Sequence, residues 1–171
     1  LVQISIGSEV RVFNAAPVAT IVITDGTADG VFLEGELVTL NAGPSIDGGL
    51  QDELSYAWEV FSPDNTLLGS STQSVFSFIP PDEGVYDVWL MVTDDDEDSH
   101  TILQQVTVLN ALPVPATISV TGDLAESEEI TLAVSATDPG TEDILTFSWD
   151  VRDQDNTQIA FGPGVSDVGD P

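Results

Sequence analysis

The sequence lacks cysteine and lysine, and it has one histidine and two arginines in 171 residues. Without cysteine there is no disulfide framework, no thiolate nucleophile and no cysteine-based zinc or iron–sulfur site. Without lysine there is no internal Lys–Asn isopeptide crosslink. Any internal brace must therefore be of another kind, and bound cations are the obvious remaining option.

Basic charge is nearly absent, since 30 acidic residues and two arginines give a net charge of −28. Such a field repels phosphate, so we expect neither nucleic acid nor an anionic membrane surface as a partner. A carboxylate-rich surface also stays hydrated at high ionic strength, and salt adaptation is therefore an alternative explanation of the acidity.

No apolar run reaches the roughly 18 residues that a membrane-spanning helix needs, so we expect no membrane insertion. The chain begins at Leu1 without a Met or a basic signal-peptide region. We interpret it as a processed or excised piece of an extracellular or cell-surface protein.

From Val38 onward, apolar and polar residues alternate as they do in half-buried antiparallel strands. The segment from Tyr86 to Val92 shows the pattern most clearly, and the helical template finds no comparable stretch. Segments rich in Gly, Pro and Asp separate the alternating runs at the spacing of a sandwich. The sequence therefore predicts an all-β chain of antiparallel β-sandwiches.

Two blocks of sequence occur twice. Val10–Val18 returns as Val106–Val114, and Leu54–Val60 returns as Leu145–Val151. A repeat of about 95 residues has the size of one sandwich domain. We predict terminal strands of a preceding or neighbouring module at 1–14, a complete sandwich at 15–110, and a partial sandwich without its last strands at 111–171.

Trp58 lies where an immunoglobulin-like fold places its core tryptophan, and Gly84-Val85-Tyr86 opens a later strand as a tyrosine corner does. At these positions the chain resembles the PKD-type domains and related immunoglobulin-like modules of large bacterial or archaeal surface proteins. The segments that carry the resemblance are Ser55-Tyr56-Ala57-Trp58, Pro81 to Val88, Leu90 to Asp96 and Ala136-Thr137-Asp138-Pro139. The resemblance implies tandem immunoglobulin-like sandwiches that serve as spacer, adhesive or carbohydrate-proximal modules. Glu59 to Pro63 depart from the family's glycine turn, so roles tied to that turn do not carry over.

An acidic run, Asp94-Asp95-Asp96-Glu97-Asp98, lies between two strands. Asp94, Asp96 and Asp98 reproduce the start of an EF-hand loop, but Ser99 and Gln105 occupy the positions that need Gly and Glu. The alternative is a solvated hairpin tip whose charges block edge-to-edge association.

Sandwich topology brings the start of the first strand and two loops to the same pole, where carboxylates would converge and repel one another without a cation. We therefore predict that Ca²⁺ is held at a pole of one copy or the other. The candidate ligands are Asn14, Asp47, Asp52, Glu53, Asp94, Asp96 and Asp98 in the first copy, and Asn110, Asp138 and Asp143 in the second.

Catalysis is not indicated. His100 is the only histidine, and no nucleophile elbow, zinc-protease motif or phosphate loop accompanies it. Among 30 acidic residues nothing singles out one catalytic pair. We predict that the chain is not an enzyme.

Trp89 and Met91 lie on the opposite face of their strand from Tyr86, Val88 and Leu90. An outward tryptophan indicates a contact patch for another subunit or for a glycan ring. Cover by a neighbouring loop is the alternative.

The second copy ends without its last strands, while Val2, Ile4 and Ile6 alternate as a spare strand at the start. These strands would complete the second copy of a neighbouring chain, and such a heterologous contact builds a head-to-tail filament. An equally weighted alternative is that the chain is a window cut from a longer tandem array, with both neighbouring modules outside it.

The favoured function is thus a non-enzymatic structural or adhesive module of an extracellular surface protein, assembled head-to-tail with its own copies or adjacent modules and stabilised by Ca²⁺. The alternative is a carbohydrate- or protein-binding accessory module of a secreted protein. A spacer domain of a secreted enzyme is the third interpretation.

Overall fold

The computed structural model describes residues 7, 13–24, 31–49, 52–115, 118–122 and 129–163. All regular secondary structure in these residues is β-strand, which confirms the all-β prediction. The strands are β1 (Val22–Ile23), β2 (Val31–Leu33), β3 (Val38–Asn41), β4 (Ser55–Phe61), β5 (Leu67–Ser71), β6 (Val75–Phe78), β7 (Gly84–Thr93), β8 (Ser99–Leu109), β9 (Val114–Pro115), β10 (Ser119–Gly122), β11 (Ile130–Ala133), β12 (Ala136–Thr137), β13 (Ser148–Arg152) and β14 (Gln158–Pro163).

The largest sheet of the described residues has the strand order β2-β8-β7-β4-β5, and a second sheet has the order β1-β3-β6. The chain divides into two compact units. The first unit comprises Leu1–Asp25, Thr39–Phe78 and Tyr86–Val106, and the second comprises Gly26–Val38, Ile79–Val85 and Thr107–Pro171.

In the first unit, β4 pairs antiparallel with both β5 and β7. The register places Trp58 opposite Leu90 and Glu59 opposite Trp89. Because successive side chains point to opposite faces of a strand, this register separates an inner face with Trp58 and Leu90 from an outer face with Glu59 and Trp89.

The inner face of the first unit is an aromatic core. Trp58 and Tyr86 are buried, and ring centroids lie 6.3 Å apart for Trp58 and Phe76 and 5.9 Å apart for Phe78 and Tyr86. The indole Nε1–H of Trp58 donates to the carbonyl oxygen of Gln73 at 2.8 Å. Since these rings come from β4, β6 and β7, they pack two sheets against each other, and the predicted core position of Trp58 is confirmed.

In the second unit, β2 pairs with the end of β8, with Phe32 opposite Val108. This pair is parallel, so the predicted fold class of antiparallel β-sandwiches is wrong for these two strands. A parallel pair needs a long crossover connection. The chain between β2 and β8, which contains five strands, provides one.

The second unit has a small apolar core. Phe32, Val38, Val108 and Ala111 are buried. From Val114 to Pro163, by contrast, Gly140 is the only buried residue among those whose burial the structure describes. The hairpins β10–β11 and β13–β14 therefore gain little from hydrophobic burial.

The predicted interface residues Val2, Ile4 and Ile6 lie outside the described residues. The predicted division at residues 14 and 110, the tandem arrangement and the immunoglobulin-like identity stay predictions. Among the described residues there is no helix that is long and apolar enough to span a membrane.

Two valines on β7 provide a matched test of this fold, since Val88 is fully buried and Val85 is 45% exposed. We expect Val88→Ala to lower the free energy of unfolding by about 2 kcal/mol, because it removes two buried methyl groups and leaves a cavity. Val85→Ala should change it by less than about 0.5 kcal/mol. Urea unfolding followed by tryptophan fluorescence measures both, and equal effects would contradict the assigned faces.

Candidate functional site

A buried glutamate lies in the turn between β2 and β3. Gly35 has a φ of +75°, which glycine tolerates, and its N–H donates to the carbonyl oxygen of Pro80 at 2.9 Å. This turn directs Glu34 inward, where its side chain is 1% exposed. The N–H of Ala111 donates to Glu34 Oε1 at 2.8 Å, while Oε2 is buried without a hydrogen-bond partner.

A second loop brings two further carboxylates to Glu34. The N–H of Gly140 donates to Asp138 Oδ1 at 3.0 Å, and the N–H of Thr141 donates to the carbonyl oxygen of Pro81 at 2.9 Å. Asn110 Nδ2 donates to Asp143 Oδ2 at 3.3 Å. Backbone and side-chain hydrogen bonds thus hold this loop in place.

One oxygen each from Glu34, Asp138 and Asp143 lies within 4.8 Å of the others, and the same holds for Glu34, Asp82 and Glu83. We call these five residues the Glu34 cluster; all of them belong to the second unit. A β-carbon on Gly140 would lie 2.8 Å from Glu34 Oε2 and 2.9 Å from Asp143 Oδ2. The glycine therefore leaves room between the carboxylates that any other residue would fill.

Electrostatics in the Glu34 cluster disfavour ionised carboxylates. Burial raises the pKa of Glu34 above its usual 4.5, and Asp143, Asp138 and Asp82 raise it further, against the lowering effect of the Ala111 N–H. Burial, Asp138 and Asp82 likewise raise the pKa of Asp143 above 3.8. Glu34 and Asp143 therefore lose their protons less readily than free carboxyl groups do, because the ionised forms are desolvated and repel one another.

The first unit contains a related acidic loop. Asn14 Nδ2 donates to Asp94 Oδ2 at 2.9 Å and to Asp98 Oδ2 at 3.0 Å. Asp94 Oδ1 accepts the N–H groups of Asp96, at 3.1 Å, and Asp98, at 2.8 Å. Asp94 is thus buried, and both of its carboxylate oxygens accept hydrogen bonds that shape the tip of the β7–β8 hairpin.

The same turn is built once in each copy. The N–H of Gly49 donates to Asp47 Oδ1 at 3.1 Å, just as that of Gly140 donates to Asp138. Asp47 Oδ2 is buried without a partner, and burial and Asp47 raise the pKa of Asp52 above its usual 3.8. In sequence, Asp52 corresponds to Asp143 when Trp58 is aligned with Trp149.

Of the residues predicted as metal ligands, the structure brings Asn110, Asp138 and Asp143 together in the second unit, and Asn14, Asp94 and Asp98 in the first. Glu53 and Asp96 are exposed. The sequence analysis missed Glu34, Asp82 and Glu83. The sequence indicates these residues only weakly. Two acidic residues flank the glycine of a short Leu-Glu-Gly-Glu-Leu turn, and two more follow a Pro-Pro pair.

The outer face of the first unit carries a pocket of about 620 Å³. Its apolar part is Trp89, 40% exposed, and Met91, 42% exposed, so the predicted outward direction of both is confirmed. The lining comprises Ala57, Trp58, Glu59, Ser70, Ser71, Thr72, Trp89, Met91 and Thr101. An open aromatic surface thus lies among hydroxyl groups and one carboxylate.

His100 has a structural contact. Its Nδ1 accepts the N–H of Ala19 at 3.0 Å, which requires an unprotonated Nδ1. This bond uses the nitrogen that a general base would need free.

No family model and no curated protein matches the sequence. Among solved structures, the chain is similar to one described as "Structural basis for the promiscuous specificity of the carbohydrate-binding modules from the beta-sandwich super family", with a TM-score of 0.47 and 21% sequence identity. The similarity covers 81% of this chain and 61% of that one. The chain therefore spans less than two thirds of that structure.

The raised pKa of Glu34 predicts how the stability of the protein changes with pH in buffer stripped of divalent cations. Because the folded-state pKa of Glu34 is raised, its contribution to stability is full below pH 4.5 and is lost as the pH rises through the folded value. Asp82, Glu83, Asp138 and Asp143 face it. Glu34→Gln keeps the acceptor for the Ala111 N–H and removes the charge, so we expect it to stabilise the protein at pH 7 by on the order of 1 kcal/mol.

The measurement is the difference in free energy of unfolding between Glu34→Gln and wild type from pH 7 to pH 4, with a chelator present. We expect this difference to shrink toward zero as the pH falls. Glu142→Gln, an exposed change on the loop of Asp143, is the control and should show no such trend. A pH-independent difference would contradict the raised pKa of Glu34.

Proposed function

We propose that the chain is a non-enzymatic adhesive module of an extracellular surface protein, and that it contacts carbohydrate through the pocket around Trp89. The observation that carries the proposal is this pocket of about 620 Å³, which is open on the outer face and built on paired strands. Small-molecule sites commonly have volumes of about 300–1,000 Å³ and combine an apolar surface with a few polar groups.

The lining suits a sugar ring. The indole of Trp89 offers a flat apolar surface for the C–H face of a pyranose, and Met91 extends it. Glu59 lies directly opposite Trp89 on the paired strand, where its carboxylate can accept hydrogen bonds from sugar hydroxyl groups. Thr72 and Thr101 add hydroxyl groups to the lining.

Charge restricts the class of ligand. The net charge of −28 and the carboxylate of Glu59 repel uronic acids, sulfated sugars and nucleic acids. Neutral oligosaccharides are therefore the class that this pocket favours.

The structural part of the proposal is head-to-tail assembly with copies or adjacent modules. The repeated turn at Asp47–Gly49 and Asp138–Gly140 supports a tandem organisation, because the same hydrogen bond recurs in both copies.

To test the carbohydrate contact, the full chain is titrated with cello-, xylo- and mannohexaose by isothermal calorimetry. We expect at least one of these sugars to bind. Trp89→Ala should raise the dissociation constant for that sugar about tenfold or more, since a central aromatic contact contributes about 2 kcal/mol to binding.

Val85→Ala is the matched control, because Val85 is an exposed apolar residue on the same strand and does not line the pocket. Its affinity should equal that of wild type. Absence of binding to all three sugars, or equal affinities of Trp89→Ala and wild type, would contradict the proposed contact.

A further inference from the structure

Glu34 has one carboxylate oxygen with no partner. The side chain is 1% exposed, and only Oε1 receives a hydrogen bond, from Ala111. A buried polar atom without a partner costs about 1–3 kcal/mol, and more when it carries charge. Such an atom points to a missing proton or cation beside Oε2.

The surroundings of Oε2 have the dimensions of a cation site. The oxygens of Glu34, Asp138 and Asp143 lie within 4.8 Å of one another. Ligands on opposite sides of a calcium ion, at about 2.3–2.6 Å each, are separated by about this distance. Gly140 keeps the space between Glu34 and Asp143 free of a side chain.

No lysine or arginine of the described residues is free to neutralise this charge. The sequence contains no lysine, and Arg152, the only arginine that the structure describes, pairs with Asp150 at 2.8 Å. A cation from solution can supply the counter-charge that these residues do not.

The donor atoms decide which cation fits. The cluster offers carboxylate oxygens, with no histidine or cysteine, and this set selects hard cations over zinc or copper. Carboxylates on separate loops suit the irregular, six- to eight-fold coordination of calcium better than the strict octahedron of magnesium.

We propose that Glu34, Asp138 and Asp143 bind one calcium ion. Asp82, whose charge acts on both Glu34 and Asp143, completes the anionic surround, and the hydrogen bond from Asn110 orients Asp143. The ion fastens the loop of residues 138–143, which belongs to the segment with little apolar core, to the turn at Glu34. This inference is independent of carbohydrate binding at Trp89.

The test uses the full 171-residue chain in chelator-treated buffer, with calcium binding measured by isothermal calorimetry and thermal unfolding measured with CaCl₂ or MgCl₂. We expect calcium to raise Tm more than magnesium does. Glu34→Gln and Asp143→Asn should each lose one equivalent of bound calcium, or bind it at least about tenfold more weakly.

Two further variants sharpen the test. Asp52→Asn changes the corresponding aspartate of the first copy and should keep the calcium response of this site. Gly140→Ala retains every carboxylate but places a methyl group 2.8 Å from Glu34 Oε2, and it should weaken calcium binding about as much as Glu34→Gln.

Circular dichroism of each variant without calcium checks that the strands are formed. Unchanged calcium stoichiometry and affinity in Glu34→Gln, Asp143→Asn and Gly140→Ala would overturn the proposal. Loss of binding in Asp52→Asn alone would place the ion in the first copy instead and would likewise overturn it.

Discussion

A carboxylate can be buried only where hydrogen bonds or an opposite charge replace the water that it loses. Glu34 meets half of this requirement through the Ala111 N–H, and its second oxygen lies among Asp138 and Asp143. In many proteins a lysine or arginine supplies the opposite charge that such a carboxylate oxygen requires. The sequence has no lysine, and the one arginine of the described residues pairs with Asp150. A proton or a cation from solution can take that place, and either one makes the stability of the second unit depend on pH or on cation concentration.

This dependence matters because the second copy has little else to hold it. Its hairpins are mostly exposed, and from Val114 to Pro163 Gly140 is the only buried residue among those whose burial is described. The first unit differs, since Trp58, Tyr86 and their neighbours form a packed aromatic core. The same Asp-x-Gly turn recurs in both copies, and in the second it brings Asp138 and Asp143 to the buried Glu34.

The alternation of apolar and polar residues was enough to predict the strands, the core position of Trp58 and the outward direction of Trp89. This follows because successive side chains of a strand point to opposite faces of the sheet. Topological reasoning also placed Asn110, Asp138 and Asp143 near one another. It missed Glu34, since the residues that meet there are far apart in sequence: Glu34 and Ala111 are separated by 77 positions. The parallel pairing of β2 with β8 likewise joins residues that are far apart in sequence, and the local pattern of Val31–Leu33 does not indicate its direction.

The central claim is that the second oxygen of Glu34 faces a calcium ion. Diffraction from crystals of the full chain grown with CaCl₂, recorded at a wavelength where calcium scatters anomalously, tests this most directly. The account predicts an anomalous peak about 2.3–2.6 Å from Glu34 Oε2 and from oxygens of Asp138 and Asp143. Density without a peak, with Glu34 Oε2 at hydrogen-bond distance from Asp143 as in a shared proton, would contradict it.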